Sequence, residues 1–294
     1  MITKIEFKKR RDFGQVINDT FTFMRQNFKP LIKIYFTFCG LFVVASMLTM
    51  LLQQYKMVNI FNTIGIEGQT NKFGFSSLYG LEYFLSILFS LFSYNSMTVA
   101  IHSYIAIYVK KGNEIPTVDE VWAYFKYYFF RVFWSSIVLA LMLGIAFVFC
   151  LVPGFWLFPY VCMFFPIMIL ENGSLGHSFS RSFALIKDNF WVTFGILIVV
   201  WIIVYASMSM VVLPTSLFSM IGMFTHKTPH MSLTLTMIST ILQSLCQVFT
   251  IIPIITISLT YFSLVEQKES VGLMERISNF GSTEKPIDTR PEEY

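Results

Sequence analysis

Six stretches of this chain stay apolar long enough to cross a bilayer, and that limits the fold more than any other feature. They lie at about 31–53, 80–109, 132–151, 155–170, 191–213 and 236–264, the fourth being short. A helix needs about 20 apolar residues to span the hydrocarbon. Lipid offers no partner to a bare backbone group, so only helices and closed barrels cross it. The sequence lacks the alternating strands of about 10 residues that build an outer-membrane barrel. Charged residues make up 13% of the chain, against roughly 25% in soluble domains. The expected fold class is therefore all-α, a polytopic membrane protein with six transmembrane helices. The 33 phenylalanines suit a lipid-facing surface and its aromatic belts.

Proline and glycine punctuate the runs. Pro30 stands where the first span should begin, a position that tolerates its missing N–H. Residues 54–78 read as a polar loop, and so does 222–232 around His226 and His230. Pro153-Gly154 reads as a tight turn between the third and fourth spans. The fourth span contains Pro159 and Pro166 and is expected to kink. The sixth contains Pro253.

Between the spans a second pattern repeats. In 171–195, Leu175, Phe179, Phe183, Ile186 and Phe190 follow one another at helical spacing, with Ser174 as a candidate N-cap after an Asn172-Gly173 turn. The opposite face carries Ser178, Arg181, Ser182 and Asp188. Phe13, Ile17, Phe21, Met24 and Phe28 repeat these steps at a constant offset of 162 residues, which aligns Asn27-Phe28 with Asn189-Phe190. A looser copy, Val118, Trp122, Phe125, Phe129 and Phe133, follows a Thr117/Glu120 capping-box pattern. The reading is a threefold internal repeat in which an amphipathic interfacial helix feeds two spans, with units at about 10–110, 116–170 and 172–265. The membrane domain covers 1–270, and 271–294 is a polar, largely disordered tail.

Charge orients the chain. Of its 21 Lys and Arg, all but Lys56, Lys72 and Lys227 fall on the side that six spans assign to both termini. The positive-inside rule makes that side, and the three short helices, cytoplasmic. Lys8, Lys9, Arg10 and Arg11 form a basic cluster, read either as a contact for anionic headgroups or as a plain topology determinant.

Recognisable catalytic chemistry is missing from the sequence, which shows no phosphate-binding loop, nucleophile elbow, zinc motif or dinucleotide fingerprint. Cys39, Cys150, Cys162 and Cys246 all sit in apolar runs without ligand spacing. Asn95 and His102 fall within the second span and read as helix-packing contacts. The candidate structural or headgroup sites are Glu171, Arg181, Asp19 and Lys187, together with the basic cluster. Arg181 has three candidate partners: Glu171, Asp19 across the repeat, or headgroup phosphates. No cofactor, metal or nucleic acid is expected; the expected partners are membrane lipids with anionic headgroups.

The stretch 171-ENGSLGHSFSRSFALIKDNFWVTFG-195, with 152-VPGFWLFPYVCMFFPIMIL-170 before it, resembles bacterial YciC-like proteins and the membrane domain fused to some glycerophosphoryl diester phosphodiesterases. The resemblance extends over most of 10–275 and is sharp over 150–195. It implies a six-span protein of the bacterial cytoplasmic membrane without an established activity. The expected function is non-enzymatic, an accessory or scaffold role in envelope or lipid organisation. The alternative is a transporter or channel for a lipid-like or small amphipathic substrate, for which a polar midplane cavity would be the mark.

Overall fold

The computed structural model describes residues 4–67, 80–149, 151–225 and 232–270, with Met274 and Ile277. The described elements are helices: α1 (Phe13–Gln26), α2 (Phe28–Glu67), α3 (Leu81–Lys110), α4 (Val118–Phe149), α5 (Leu151–Leu170), α6 (Leu175–Ile186), α7 (Phe190–Thr225), α8 (Leu233–Cys246) and α9 (Ile251–Glu269). A single 3₁₀ turn, Gln247–Thr250, joins α8 to α9. Six helical segments are long and apolar enough to cross a membrane, α8 and α9 together forming the sixth. The chain is a multi-pass membrane protein.

The two most lipid-like spans are the ones left facing outward. The spans of α7 and α4 are the most apolar, with mean hydropathy 2.7 and 2.4, and they are the least buried, at 22% and 17%. The α3 span has the lowest mean hydropathy, 1.6, and is 50% buried. Helix α3 is the central post, enclosed continuously from Asn95 to Tyr108. Its Ser96, Ala100 and Ser103 are 0% exposed. Small residues there let α2, α4, α5 and α9 approach its backbone, which is how helices associate when lipid removes the hydrophobic drive.

Several boundaries move. Helix α2 continues to Glu67, through the first half of the expected 54–78 loop; the rest of that loop, and His226 and His230 of the second, lie outside the described residues, as does the tail beyond Ser270 apart from Met274 and Ile277. Helix α5 begins at Leu151, so Pro153 and Gly154 lie in its first turn and not in a turn between helices. Proline costs no hydrogen bond there. Gly154 is needed for close approach: a Cβ would lie 2.4 Å from the Phe147 ring of α4. The sixth span changes to 3₁₀ geometry just before Pro253, whose ring conflicts with the carbonyl four residues back.

The third short helix does not separate from its span. Val118–Phe149 is one unbroken helix, opened by Thr117 and Glu120 acting as the expected capping box, at 2.9 and 3.4 Å. No glycine, proline or capping side chain interrupts 118–143, so nothing ends the helix at 131.

Helices α1 and α6 do form as separate elements, but their inner faces differ from the expected ones. In α6 Ser178 and Ser182 are 0% exposed, while Leu175, expected to face inward, is 41% exposed. In α1 the most buried residues are Val16, Thr20 and Phe23. Small hydroxyl side chains allow close packing, and most satisfy themselves by donating to a carbonyl three or four residues back, as Ser182 does to Phe179 and Thr20 to Val16. The aromatic stripe is displaced to the flank. Ile17, Phe21 and Met24 lean on Val200, Val204 and Ile252, while Val16 and Phe23 join the main core with Tyr104 and Tyr108. Helix α1 is thus wedged among α3, α7 and α9, and two of its faces are covered by protein. The inward positions keep the 162-residue offset: Val16 matches Ser178, Thr20 matches Ser182, and Phe23 matches Leu185.

Candidate functional site

At the end of the bundle that carries the N-terminus, charged side chains tie the helices together. Glu171 closes α5. Its Oε1 accepts from Arg181 Nε at 3.2 Å and from the Tyr261 hydroxyl of α9 at 2.8 Å, and its Oε2 lies 3.3 Å from His177 Nε2. The Asn172-Gly173 turn folds α6 back beneath α5, with Asn172 in the left-handed region at φ 52° and Ser174 capping the helix. Arg181 also pairs with Glu269 at the end of α9. Arg131 of α4 holds the turn itself, donating to Asn172 Oδ1 at 2.9 Å and to the Gly173 carbonyl at 2.5 Å. Lys268 closes the far end of α6: it donates to the Ala184 carbonyl, left open by the helix end, and pairs with Asp188 at 2.9 Å. That ammonium holds the exposed Asp188 carboxyl below the usual carboxylate range.

Asp19 takes a different partner from the one considered for it. Its Oδ2 accepts from Arg11 Nε at 2.8 Å. Arg11 is turned inward: its side chain is 1% exposed and donates to the carbonyls of Phe7 at 2.8 Å and Lys9 at 3.1 Å, and also to that of Glu6. The Arg11 backbone is bonded to Ser263 of α9 in both directions, N–H to Oγ at 2.9 Å and Oγ to carbonyl at 3.2 Å. Phe7, 1% exposed, packs edge-on against Phe23, Tyr108 and Phe262. The segment before α1 is therefore docked into the body. Lys9 and Arg10 remain exposed, Lys8 is half-buried, and Lys187 is exposed at the C-cap of α6.

Two cavities open at this end. One of about 560 Å³ lies among α3, α4, α5 and α9, lined by Lys110, Tyr124, Tyr127, Tyr128, Glu171, Asn172 and Tyr261 above an apolar floor of Ala106, Ile169 and Phe262. Lys110 Nζ donates to the Tyr124 hydroxyl at 2.8 Å. The second, about 470 Å³, lies among α1, α7 and α9. Deeper in, Asn95 and His102 are 2% and 1% exposed. Asn95 Nδ2 donates to the Leu91 carbonyl at 2.9 Å, and His102 Nδ1 lies 2.7 Å from the Thr98 carbonyl, while His102 Nε2, Ser96 Oγ and Ser103 Oγ have no partner among the described residues. Among the described residues no group of three or more His, Cys, Asp or Glu is placed to hold a metal ion.

Of the expected site residues, the structure brings Glu171 and Arg181 together and separates both from Asp19. Tyr261, Glu269, Arg131 and Lys110 also belong to this end and were not legible as site residues. They lie tens of residues away in sequence, and no local spacing marks such contacts. No family model matches the chain, and comparisons with curated proteins and with solved structures give no match.

Proposed function

We propose that this chain is a non-enzymatic scaffold of the bacterial cytoplasmic membrane that holds lipid headgroups at its cytoplasmic face. Both termini lie on that face, as the distribution of Lys and Arg indicates. The architecture is read as three units in which a short helix leads two spans, fused to its span in the middle unit. The burial offset shared by α1 and α6 supports this reading.

The observation that carries the function is the 560 Å³ cavity. Four tyrosines and Lys110 surround it where helix ends meet the headgroup layer, and apolar side chains continue inward. Tyrosine suits such a boundary, with an apolar ring and a hydroxyl donor. A cation beside several hydroxyls fits an anionic headgroup; Glu171, which also lines the cavity, is turned to Arg181, a partner it shares with Glu269. The experiment is lipid retention. Protein extracted with its native lipids should keep anionic phospholipid, and the Lys110→Ala/Tyr124→Phe pair should lose it while keeping its fold. Unchanged retention in that variant contradicts the reading.

Transport of an amphipathic substrate is the second reading, favoured by the partnerless polar atoms of Ser96, His102 and Ser103 inside α3. The two cavities described above lie at the charged end, and a third of about 460 Å³, lined by Phe158 of α5 and by Trp201 and Tyr205 of α7, is apolar, which supports the scaffold reading first. Reconstituted vesicles carrying a fluorescent lipid separate the two, since a transporter moves label between leaflets and a scaffold does not.

A further inference from the structure

The second cavity points to a different ligand. It is formed by the first turn of α1, the start of α7 and the end of α9. Thr193 of α7 is 1% exposed and lines it, yet its hydroxyl has no hydrogen-bond partner among the described residues. That is unlike the other buried threonines nearby: Thr20, Thr256 and Thr260 each donate to the carbonyl four residues back, at 2.8, 2.9 and 2.8 Å. A buried hydroxyl without a partner is destabilising, so its place in a cavity wall marks a group available to a ligand. One turn earlier, the Asn189 carboxamide also faces no protein partner among the described residues. Its counterpart at the 162-residue offset, Asn27, is fully engaged, accepting from the Tyr104 hydroxyl at 2.8 Å and donating to the Phe23 carbonyl at 3.2 Å.

The charges at the rim define the ligand further. Arg10 is exposed and makes no ion pair among the described residues, so it supplies one cation. Asp12 supplies one carboxylate; its Oδ1 caps α1 by accepting from Gln15 N–H at 2.8 Å, and its negative charge remains. Arg11 also lines the cavity, but its guanidinium is neutralised by Asp19. The rim is thus balanced, with one positive and one negative group on adjoining sides. A net anion would meet Asp12, and a net cation would meet Arg10. Apolar side chains complete the wall, and Phe13 and Val192 are 39% and 49% exposed.

We infer that the cavity among α1, α7 and α9 binds a phospholipid whose headgroup carries both a phosphate and a primary ammonium. The phosphate meets Arg10, the Thr193 hydroxyl and the Asn189 amide; the ammonium meets Asp12; the acyl chains leave past Phe13 and Val192. The site is independent of the Lys110 cavity, so either can fail alone.

The test uses delipidated full-length protein in detergent, titrated with diheptanoyl phosphatidylethanolamine, phosphatidylglycerol or phosphatidylcholine and followed by thermal unfolding. The ethanolamine lipid should raise Tm most. Arg10→Ala, at an exposed position that does not threaten folding, should weaken its apparent Kd by roughly tenfold, the loss of one charged hydrogen bond. Thr193→Val/Asn189→Ala should do so at least as strongly. Asp12→Asn keeps a good N-cap and should abolish the preference for the ethanolamine lipid over the other two. Equal response to all three lipids in the wild type overturns the proposal. So does an unchanged preference in both Arg10→Ala and Asp12→Asn. Soluble glycerophosphoethanolamine should protect weakly; protection equal to that of the lipid overturns the assignment to a membrane lipid. Lys110→Ala/Tyr124→Phe should leave every one of these responses intact.

Discussion

Arg11 and Asp19 form an ion pair at 2.8 Å inside the bundle, with the guanidinium 1% exposed and the carboxylate 24% exposed. The pair fixes the N-terminal segment to α1. Three backbone carbonyls take further donors of Arg11, so those bonds survive loss of the acid, while the charge-assisted bond from Nε is lost and the guanidinium is left uncompensated. Asp19→Asn should lower stability by about 1.5–3 kcal/mol, the range for hydrogen bonds to charged groups. Reversible unfolding in detergent measures it, and an unchanged midpoint contradicts the pairing.

Arg181 stands between two acids, Glu171 and Glu269. Its side chain is 25% exposed, so solvent screens both interactions. A double-mutant cycle between positions 171 and 181 should give coupling of about 1 kcal/mol. The same cycle between 19 and 181 should give none, because Asp19 is committed to Arg11. Coupling in the second cycle and not in the first contradicts this geometry.

Phe183 lies flat on Tyr160, ring centroids 4.0 Å apart and 9° from parallel. Ile186, Leu185 and Tyr160 surround it as a satellite core under α6. Phe183→Asp would place a carboxylate in that contact at a cost of several kcal/mol, and folded protein should be lost. Accumulation and melting like the wild type would contradict the packing of α6 on α5.

Topology is tested by cysteine labelling in a chain freed of its own cysteines. Ile60→Cys and Thr228→Cys should react with an impermeant maleimide in intact cells, and Gly112→Cys and Gly176→Cys should not. The reverse pattern contradicts the cytoplasmic placement of the charged end.

The sequence revealed the spans and the caps for the same reason: both are local. A run of 20 apolar residues, or a Thr117/Glu120 pair at capping distance, carries its meaning without reference to the rest of the chain. The short helices were harder to orient. Their aromatic stripe sits only one residue from the buried one, and periodicity cannot choose between adjacent faces when a hydroxyl such as Ser182 can satisfy itself on its own backbone. The Glu171–Arg181 contact was legible because a turn returns the chain over ten residues. The contacts of Tyr261 and Glu269 with the same pair join segments about 90 residues apart, and only the tertiary fold brings them together. The cavities share that dependence, since each has walls from at least three helices.

The most direct measurement of the central claim is native mass spectrometry of the protein released from lipid nanodiscs containing a defined mixture of anionic and zwitterionic phospholipid. The account predicts that the wild type carries bound anionic phospholipid, and that Lys110→Ala/Tyr124→Phe carries markedly less at equal folded yield. Wild-type protein released without anionic lipid, or a variant that retains the same amount, would contradict it.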